Sequence, residues 1–489
     1  MPKSKASSNK KISTNPDTVS FDLLFQLTYL SAIAASGIPR SRVFQLASNL
    51  PNCISPYFQK IYILAEKMNY DYTEACRMVG EVVPDYRIKS LLLRISSALT
   101  AGEAEQDFLE REARVQADSY SNEYEGKVET LRKYTDAYTA ITISSALVLV
   151  VAVVSMLIYN TSTPFIMGLI VVAIGVTGIG VWIIYKAAPR ELKALDGKEV
   201  PPRARLLDSL FRLLVPISIV VPALLSLRGL PLGVLMILAG LIVLPLGLVA
   251  SRLDRDVDAK DSEISTFLRA LGSIATAIGS TLTEAMEKLD LRSFPALATQ
   301  IRQLNARLSM RIAPALCWRR MVTDSGSNLI DRSVTIFEDA ISQGGEAEEV
   351  GARSSLMASK VSALREKRLI VSKTFGMLTL TMHATISALL VFIVAVVDVF
   401  AGLVNKANMG EMKGMLPFFN FSPGDLKMLN MILVPTLIIF AVANSSAAQV
   451  TEGSHKYRFF YFLSICLATS GICLLVVPAA INMLFNFTS

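Results

Sequence analysis

The side chains that most often catalyse reactions or bind metals are scarce in this sequence. Histidine occurs only at His383 and His455, too few for the usual acid–base or metal-binding clusters. No two cysteines have Cys-x-x-Cys spacing, so we interpret all five as buried apolar thiols: Cys53, Cys76, Cys317, Cys466 and Cys473. No Gly-x-x-x-x-Gly-Lys-Ser/Thr loop is present to hold nucleotide phosphates. We therefore predict a protein that is not an enzyme and that has no cofactor and no metal.

Basic side chains are the better candidates for function, as a surface that binds an acidic partner. One group comprises Arg302, Arg307, Arg311, Arg319 and Arg320, and a comparable earlier group includes Arg87, Lys89 and Arg94. Complementary charge steers docking and fixes its register. The alternative is retention of Lys and Arg on the cytoplasmic side of a membrane, which we favour for Arg365, Lys367 and Arg368. No aromatic and basic groove pattern indicates a nucleic-acid partner.

The elements that position these residues follow from hydropathy. Apolar residues make up 52% of the 489-residue chain and charged residues only 18%, against about 25% in soluble domains. Several stretches are almost free of charge and long enough to cross a bilayer, which needs about 20 apolar residues. We predict spans near Tyr138–Tyr159, Pro164–Tyr185, Leu207–Leu227, Leu230–Ala250, Phe375–Val404, Met428–Ala448 and Phe459–Leu484. The fold class is all-α, a polytopic membrane protein with about seven to nine transmembrane helices; Pro216 and Pro222 allow a kinked or re-entrant third segment.

Loop charges predict the orientation. The linker 186–206 and the loop 449–458 carry Lys and Arg and are placed inside, whereas the uncharged turn 160–163 is placed outside. The N-terminus is then cytoplasmic and the C-terminus external in the plasma membrane. Three sequons, Asn160, Asn420 and Asn486, fall in the external segments as possible N-glycosylation sites; a fourth, Asn444, lies within a span. The predicted domains are a basic tail (1–20), cytoplasmic helical domains (21–137 and 251–374) and membrane regions (138–250 and 375–489).

Two features inside the predicted spans could be functional. His383 lies within the fifth span and Asp398 near its outer end, and ionisable groups in a membrane are functional candidates. For Asp398, snorkelling to the interface is an equal alternative. The glycines Gly175, Gly178 and Gly180 lie in the second span, where close helix packing explains them better than phosphate binding.

The two polar segments resemble each other, which indicates an internal repeat. Leu30–Gly37 matches Leu271–Gly279 as a helix of small residues that ends at glycine. A second match pairs Gly102-Glu103 with Gly345-Glu346 at nearly the same separation. We favour a capping or pairing role for Glu103 and Glu346 over direct partner contact. Each copy has helical periodicity and is predicted to be a compact all-α bundle, followed by a charged helical stretch that continues into a span.

At these residues the sequence resembles the membrane platform proteins of type IV filament systems, with the type II secretion F domain present twice. The first family motif is similar to Phe267–Leu271 through Gly279 and Leu282–Ala285, and the second to the two Gly-Glu pairs. The first copy departs from the motif, since Gln26 or Leu27 stands where the second has Arg269. The segment Tyr29–Ile38 is closest to the archaeal branch, which serves archaella and adhesive pili.

The resemblance implies a platform that docks a cytoplasmic hexameric secretion ATPase and passes its movements to archaellin or pilin subunits. In the archaellum branch, the same pair also powers rotation together with other motor proteins. The resemblance further implies a homodimer embedded in the lipid bilayer. Two alternatives stay open: the platform of an adhesive or DNA-exchange pilus, and, from another class, a secondary membrane transporter. A transporter would have its repeats within the membrane, whereas the repeat here lies in the polar segments.

Overall fold

The computed structural model describes residues 16–159, 163–191, 193–195, 202–408 and 423–486. These residues form α-helices joined by turns and two short 3₁₀ segments, which confirms the all-α prediction. The first polar segment contains α1 Pro16–Ala34, α2 Arg40–Ser48, α3 Ser55–Met68, α4 Tyr72–Val82, α5 Tyr86–Thr100 and the start of α6 Glu105–Tyr159. The next helices are α7 Thr163–Ala187, α8 Pro202–Ser226 and α9 Leu232–Ile278. The remainder are α10 Leu282–Glu287, α11 Ala298–Ser309, α12 Pro314–Ser325, α13 Asn328–Ser342, α14 Ala347–Asn408, α15 Pro423–Glu452 and α16 Phe459–Asn486.

The order of helices repeats with an almost constant offset. Four pairs of helices begin 242 residues apart: α2 and α10 at 40 and 282, α4 and α12 at 72 and 314, α5 and α13 at 86 and 328, and α6 and α14 at 105 and 347. Gly37 and Gly279, also 242 apart, have φ of 67° and 64° after the first helix of each copy. We call α1 to the start of α6 the first copy, and the end of α9 to the start of α14 the second copy.

Capping residues explain where several helices begin. The carboxylates of Asp71 and Asp85 accept backbone N–H groups at the starts of α4 and α5. In the second copy, the hydroxyls of Thr281 and Ser327 do the same at α10 and α13. These side chains satisfy N–H donors that the first turn of a helix leaves unpaired. The positions of Asp85 and Ser327 correspond in the two copies, although the residue types differ.

The chain forms two compact units. The first comprises Met1–Glu125, Pro189–Pro201 and Asp256–Arg365 and therefore contains both copies. Within it α1 packs on α13: the Tyr29 hydroxyl donates to Asp339 Oδ2 at 2.8 Å, and Ser36 Oγ donates to the carbonyl of Ala340 at 3.2 Å. Arg353 donates to Ser31 Oγ at 2.8 Å and pairs with Glu110 at 2.9 Å. These bonds hold the two copies together as one unit.

The second unit comprises Gly126–Ala188, Pro202–Arg255 and Glu366–Ser489 and contains the apolar helical segments. Seven described helices, α6 to α9 and α14 to α16, are long and apolar enough to cross a membrane. This confirms the predicted multi-pass membrane protein. The third segment runs as one continuous helix, α8, with Pro216 and Pro222 inside it.

A glycine seam joins α9 to α16 in the second unit. Gly233, Gly240 and Gly247 recur every seven residues along α9 and so lie on one face of the helix. A Cβ on Gly233 would lie 2.7 Å from the carbonyl oxygen of Gly471, and one on Gly240 would lie 2.8 Å from that of Ser464. A Cβ on Gly247 would overlap the backbone of Tyr461. The seam therefore depends on residues without a side chain, as in other close membrane-helix contacts.

The glycine cluster of α7 is only partly explained by packing. A Cβ on Gly180 would lie 2.7 Å from Cδ2 of Tyr138, so close packing holds there. Gly175 and Gly178 have nothing within 4 Å of an added Cβ. Within this single chain, close helix packing is therefore found at Gly180 and not at Gly175 or Gly178.

Candidate functional site

The second-copy arginines lie on the α11–α12 hairpin and at its turn. Arg302, Arg311, Arg319 and Arg320 are exposed, and Arg307 is half-buried. Arg307 pairs with Asp324 at 3.1 Å, and Arg320 reaches the same carboxylate at 3.3 Å. Along this hairpin, from Ala298 to Ser325, Asp324 is the one acidic residue beside five arginines. The hairpin therefore presents a strongly positive surface.

An exposed apolar tip accompanies these arginines, and the sequence patterns did not predict it. Side chains of Met310, Ile312 and Leu316 are 66%, 40% and 63% exposed at the turn between α11 and α12. Arg311 lies between the first two with φ of 56°, in the left-handed region that L-residues other than Gly, Asn and Asp rarely adopt. Apolar side chains surrounded by cations are a usual composition for a protein-binding surface, in which the apolar groups supply affinity and the charges supply orientation.

The first-copy basic residues lie in a different environment. Arg94 makes two bonds to Glu112, at 2.9 and 2.7 Å, and Arg87 lies 3.3 Å from Glu123. Both ion pairs connect α5 to α6 within the first copy. Lys89 is half-buried on α5. Because these arginines brace neighbouring helices, the positive docking surface that the sequence suggested for both copies is best developed in the second.

The Gly-Glu segments form the turns that precede α6 and α14. Glu103 pairs with Arg111, and Glu346 is exposed while its carbonyl accepts the N–H of Val350 at 3.0 Å. The glycines in the left-handed region are Gly102, with φ of 68°, and Gly344, with φ of 89°. The 242-residue offset thus pairs Gly102 with Gly344, one residue before Gly345. An added Cβ on Gly345 would lie 2.6 Å from Ser36 Oγ, so this glycine permits contact between the copies.

Arg269, which the first copy lacks, has a local structural role. Its Nε donates to Ser355 Oγ at 3.2 Å, so it connects α9 to α14. At an offset of 242, its counterpart is the buried residue Leu27.

A buried ion cluster surrounds Arg365 in the first unit. Its guanidinium lies 2.8 Å from Glu191 and 2.7 Å from Asp261, and the three side chains are only 12%, 14% and 3% exposed. Ser327 also donates to Asp261. The segment that contains Glu191 continues along the second copy, where Leu195 N donates to Gly326 O at 3.1 Å. Arg365 therefore has specific ion-pair partners, which positive-inside retention alone does not require.

Arg368 closes the end of a helix in the second unit. Its guanidinium donates to the carbonyls of Thr451 and Val450, both at 3.0 Å, in the last turn of α15. A cation at this position satisfies carbonyls that have no partner within the helix and offsets the negative end of the helix dipole. Gly453 has φ of 67°, and an added Cβ would overlap the guanidinium. The Arg368 side chain therefore has a structural role in helix packing.

His383 is the centre of a buried polar chain in the membrane unit. Its Nε2 lies 3.1 Å from the carbonyl of Cys466 and 2.9 Å from Ser470 Oγ, and its Nδ1 lies 3.2 Å from Asn444 Nδ2. Because the Cys466 carbonyl only accepts, Nε2 carries the proton and Nδ1 accepts from the amide. Asn444 Oδ1 in turn accepts from the Tyr138 hydroxyl at 2.7 Å. The chain of hydrogen bonds joins α6, α14, α15 and α16, so His383 makes polar contacts between helices.

The other candidate positions are placed as follows. Asp398 is exposed on α14. Of the predicted external sequons, Asn160 and Asn420 lie outside the described residues, and only the backbone of Asn486, at the end of α16, is described. Among the residues that the structure describes, no group of three or more His, Cys, Asp or Glu side chains could hold a metal ion.

Two acidic residues at the contact between the copies have a distinctive electrostatic setting. Burial and the neighbouring Asp339 raise the pKa of Glu338 to about 7. Burial and the same carboxylate raise the pKa of Tyr29, so its hydroxyl keeps its proton and donates to Asp339. The contact between α1 and α13 thus contains closely spaced carboxylates as well as apolar side chains.

Comparison with known proteins shows similarity over most of the chain. Flagella accessory protein J of Methanocaldococcus jannaschii is 24% identical over 441 residues, which cover 87% of this chain and 78% of that protein. Flagella accessory protein J of Methanococcus voltae is 21% identical over 443 residues, 88% of this chain and 79% of that protein. No family model matches the chain, and no solved structure does so. The similarity to both J proteins confirms the resemblance that the sequence motifs indicated.

Proposed function

We propose that this chain is the membrane platform of an archaellum assembly machine. It docks a cytoplasmic hexameric secretion ATPase and passes the movements of that ATPase to the insertion and rotation of filament subunits, acting as a homodimer. The observation that carries the proposal is the similarity to flagella accessory protein J along 87% of the chain. The two helical copies and the seven apolar helices agree with this role.

Continuous helices support a mechanical role. Helix α6 extends from Glu105 to Tyr159 and α14 from Ala347 to Asn408, so each joins one copy to an apolar segment without a break. At about 1.5 Å per residue, these helices are about 80 and 90 Å long. Because an unbroken helix transmits displacement along its axis better than a flexible linker, movement of a docked copy reaches the membrane helices directly.

The docking surface that we propose is the α11–α12 tip with its arginines. Met310, Ile312 and Leu316 supply apolar area, and Arg302, Arg311 and Arg319 supply positive charge around it. An ATPase that fits this surface has an apolar pocket bordered by carboxylates. Such a pocket would accelerate encounter and fix the register of docking.

We expect the double variant Arg302→Glu with Arg311→Glu to bind the ATPase about 10- to 100-fold more weakly. The new carboxylates would then face the carboxylates of the ATPase pocket. The double variant should also fail to restore swimming to a deletion strain, at an unchanged level of membrane-inserted protein. Binding is measured with the full chain in nanodiscs. The matched control is Lys288→Glu with Arg292→Glu. These two exposed cations precede the N-terminal end of α11, which is the end away from the tip.

Unchanged affinity of R302E/R311E, or an equal loss in the control, would reject the docking surface. A third variant, Arg311→Gly, separates binding from folding. Glycine adopts positive φ without steric cost, so thermal stability should stay the same or rise slightly while binding falls. If the deletion strain swims normally and loses surface adhesion instead, the chain serves a pilus and not an archaellum.

A further inference from the structure

We propose, resting on the docking function above, that the α3–α4 turn of the first copy is a second docking element equivalent to the α11–α12 tip. One chain thereby engages two like subunits of a homo-oligomeric partner. Each subunit offers the same recognition site, an apolar pocket bordered by carboxylates. The proposal concerns Met68 to Tyr70 of the first copy and Met310 to Ile312 of the second.

The two turns have the same left-handed backbone conformation. Asn69 and Arg311, 242 residues apart, both have φ of 56°. Among the described residues, these are the two non-glycine positions with positive φ. Arginine rarely adopts the left-handed conformation, whereas asparagine adopts it more readily, and glycine occupies the other positive-φ positions that the structure describes. Both copies keep a larger side chain at this position.

The exposed side chains of the two turns also correspond. Met68 and Met310 precede the left-handed residue and are 59% and 66% exposed. Tyr70 and Ile312 follow it and are 44% and 40% exposed. An exposed cation lies at the same position of the preceding helix, Lys60 on α3 and Arg302 on α11. Two apolar side chains and one cation therefore have the same arrangement in sequence on both hairpins.

The flanks of the hairpins differ, which shows that the fold itself does not dictate these surfaces. In the first copy Tyr57, Leu64 and Val82 line an apolar groove of about 460 Å³, together with neighbouring residues of α3 and α4. At an offset of 242, the groove residue Ile63 is replaced by Asn305 and Val82 by Asp324. The methionine and the cation are thus retained while the surface beside them has changed from apolar to polar, as expected if a shared partner site constrains them.

The chemistry of the tips identifies the kind of partner. Methionine with a tyrosine or isoleucine fits an apolar pocket, and the cations Lys60 and Arg302 fit carboxylates at its edge. Because both tips offer a methionine, a second apolar side chain and a cation, both fit the same kind of pocket, and a homo-oligomer presents one such pocket on each subunit. Asn69 lacks the charge of Arg311, and the acidic Glu66 and Asp71 are exposed beside it, so we expect the first tip to bind more weakly.

The stoichiometry of binding tests this inference. The full chain in nanodiscs is titrated with the secretion ATPase held as single subunits by a substitution in its own subunit interface. The variants are Met68→Ser with Tyr70→Ser and Met310→Ser with Ile312→Ser. The matched control is Val115→Ser with Leu356→Ser, two exposed apolar residues of the same unit outside both tips. All six side chains are at least 40% exposed, so the substitutions should preserve the fold.

We expect two ATPase subunits per wild-type chain and control chain, and one per chain in each tip variant. With the assembled hexamer, loss of either tip should lower the apparent affinity of the chain for the hexamer about 100-fold. The chain can then no longer make a second, intramolecular contact to the same hexamer. One subunit per wild-type chain, unaffected by the first-copy variant, would overturn the inference and leave the proposed docking at α11–α12 intact. No binding to the wild-type chain in either form would overturn the proposed ATPase docking itself.

Discussion

Replacement of Arg365 by methionine destabilises the first unit by about 3–5 kcal/mol, the usual cost of removing one partner from a buried ion pair. The side chain lies 2.8 Å from Glu191 and 2.7 Å from Asp261, and Asp261 is only 3% exposed. Without the guanidinium, both carboxylates keep their desolvation cost but lose their counter-charge. Thermal unfolding of the purified chain, combined with limited proteolysis of the 189–201 segment, measures the effect.

Arg292→Met is the control, since it removes an exposed arginine of the same copy. A second variant tests the cause directly. Combining Arg365→Met with Glu191→Gln and Asp261→Asn removes the unpaired charges and should recover most of the lost stability. If the free energy of unfolding of the Arg365→Met variant is within about 0.5 kcal/mol of the wild-type value, the ion cluster does not hold the 189–201 segment to the second copy.

Substitution of Gly247 by valine is expected to disrupt the assembly of the second unit. The new side chain would overlap the backbone of Tyr461, so α9 and α16 would have to separate along the whole glycine seam. Overpacking of a close contact costs about 1–3 kcal/mol even where side chains can move, and backbone atoms move less readily. We expect a several-fold lower yield of monodisperse protein, as measured by size-exclusion chromatography in detergent.

Gly175→Val provides a matched control for this substitution. It introduces the same side chain into another apolar helix at a glycine with nothing within 4 Å of an added Cβ. This variant should behave as the wild type does. Equal yields of the two valine variants would show that the α9–α16 contact tolerates a side chain, contrary to the packing of the seam.

Much of the architecture follows from the sequence because it depends on local periodicity. Long charge-free stretches identified the seven apolar helices, and Gly37 and Gly279 marked the end of the first helix in each copy. The glycine seam also has a local signal, the seven-residue spacing of Gly233, Gly240 and Gly247. From the sequence, we interpreted only the denser glycine cluster in α7. Dense spacing alone does not show which glycines face another helix.

The buried ion cluster could not be predicted in the same way. Arg365 is 174 residues from Glu191 and 104 residues from Asp261, and near a span it resembles any arginine kept on one side of a membrane. The exposed apolar tip was missed for another reason. Met310 and Leu316 have the apolar character of core residues, and only their position at a turn leaves them exposed. An alignment of the two copies at an offset of 242 would have revealed that Met68 and Met310 correspond.

We propose that both helical copies lie on the cytoplasmic face, with the apolar segments of α6 to α9 between them in the chain. Cysteine labelling tests it most directly, with the five native cysteines replaced by alanine and single cysteines introduced at Met68, Met310 and Leu227, all well exposed. An impermeant thiol reagent should label positions 68 and 310 only in inverted vesicles, and position 227 only in intact cells. Labelling of positions 68 and 310 from opposite faces of the membrane would contradict the account.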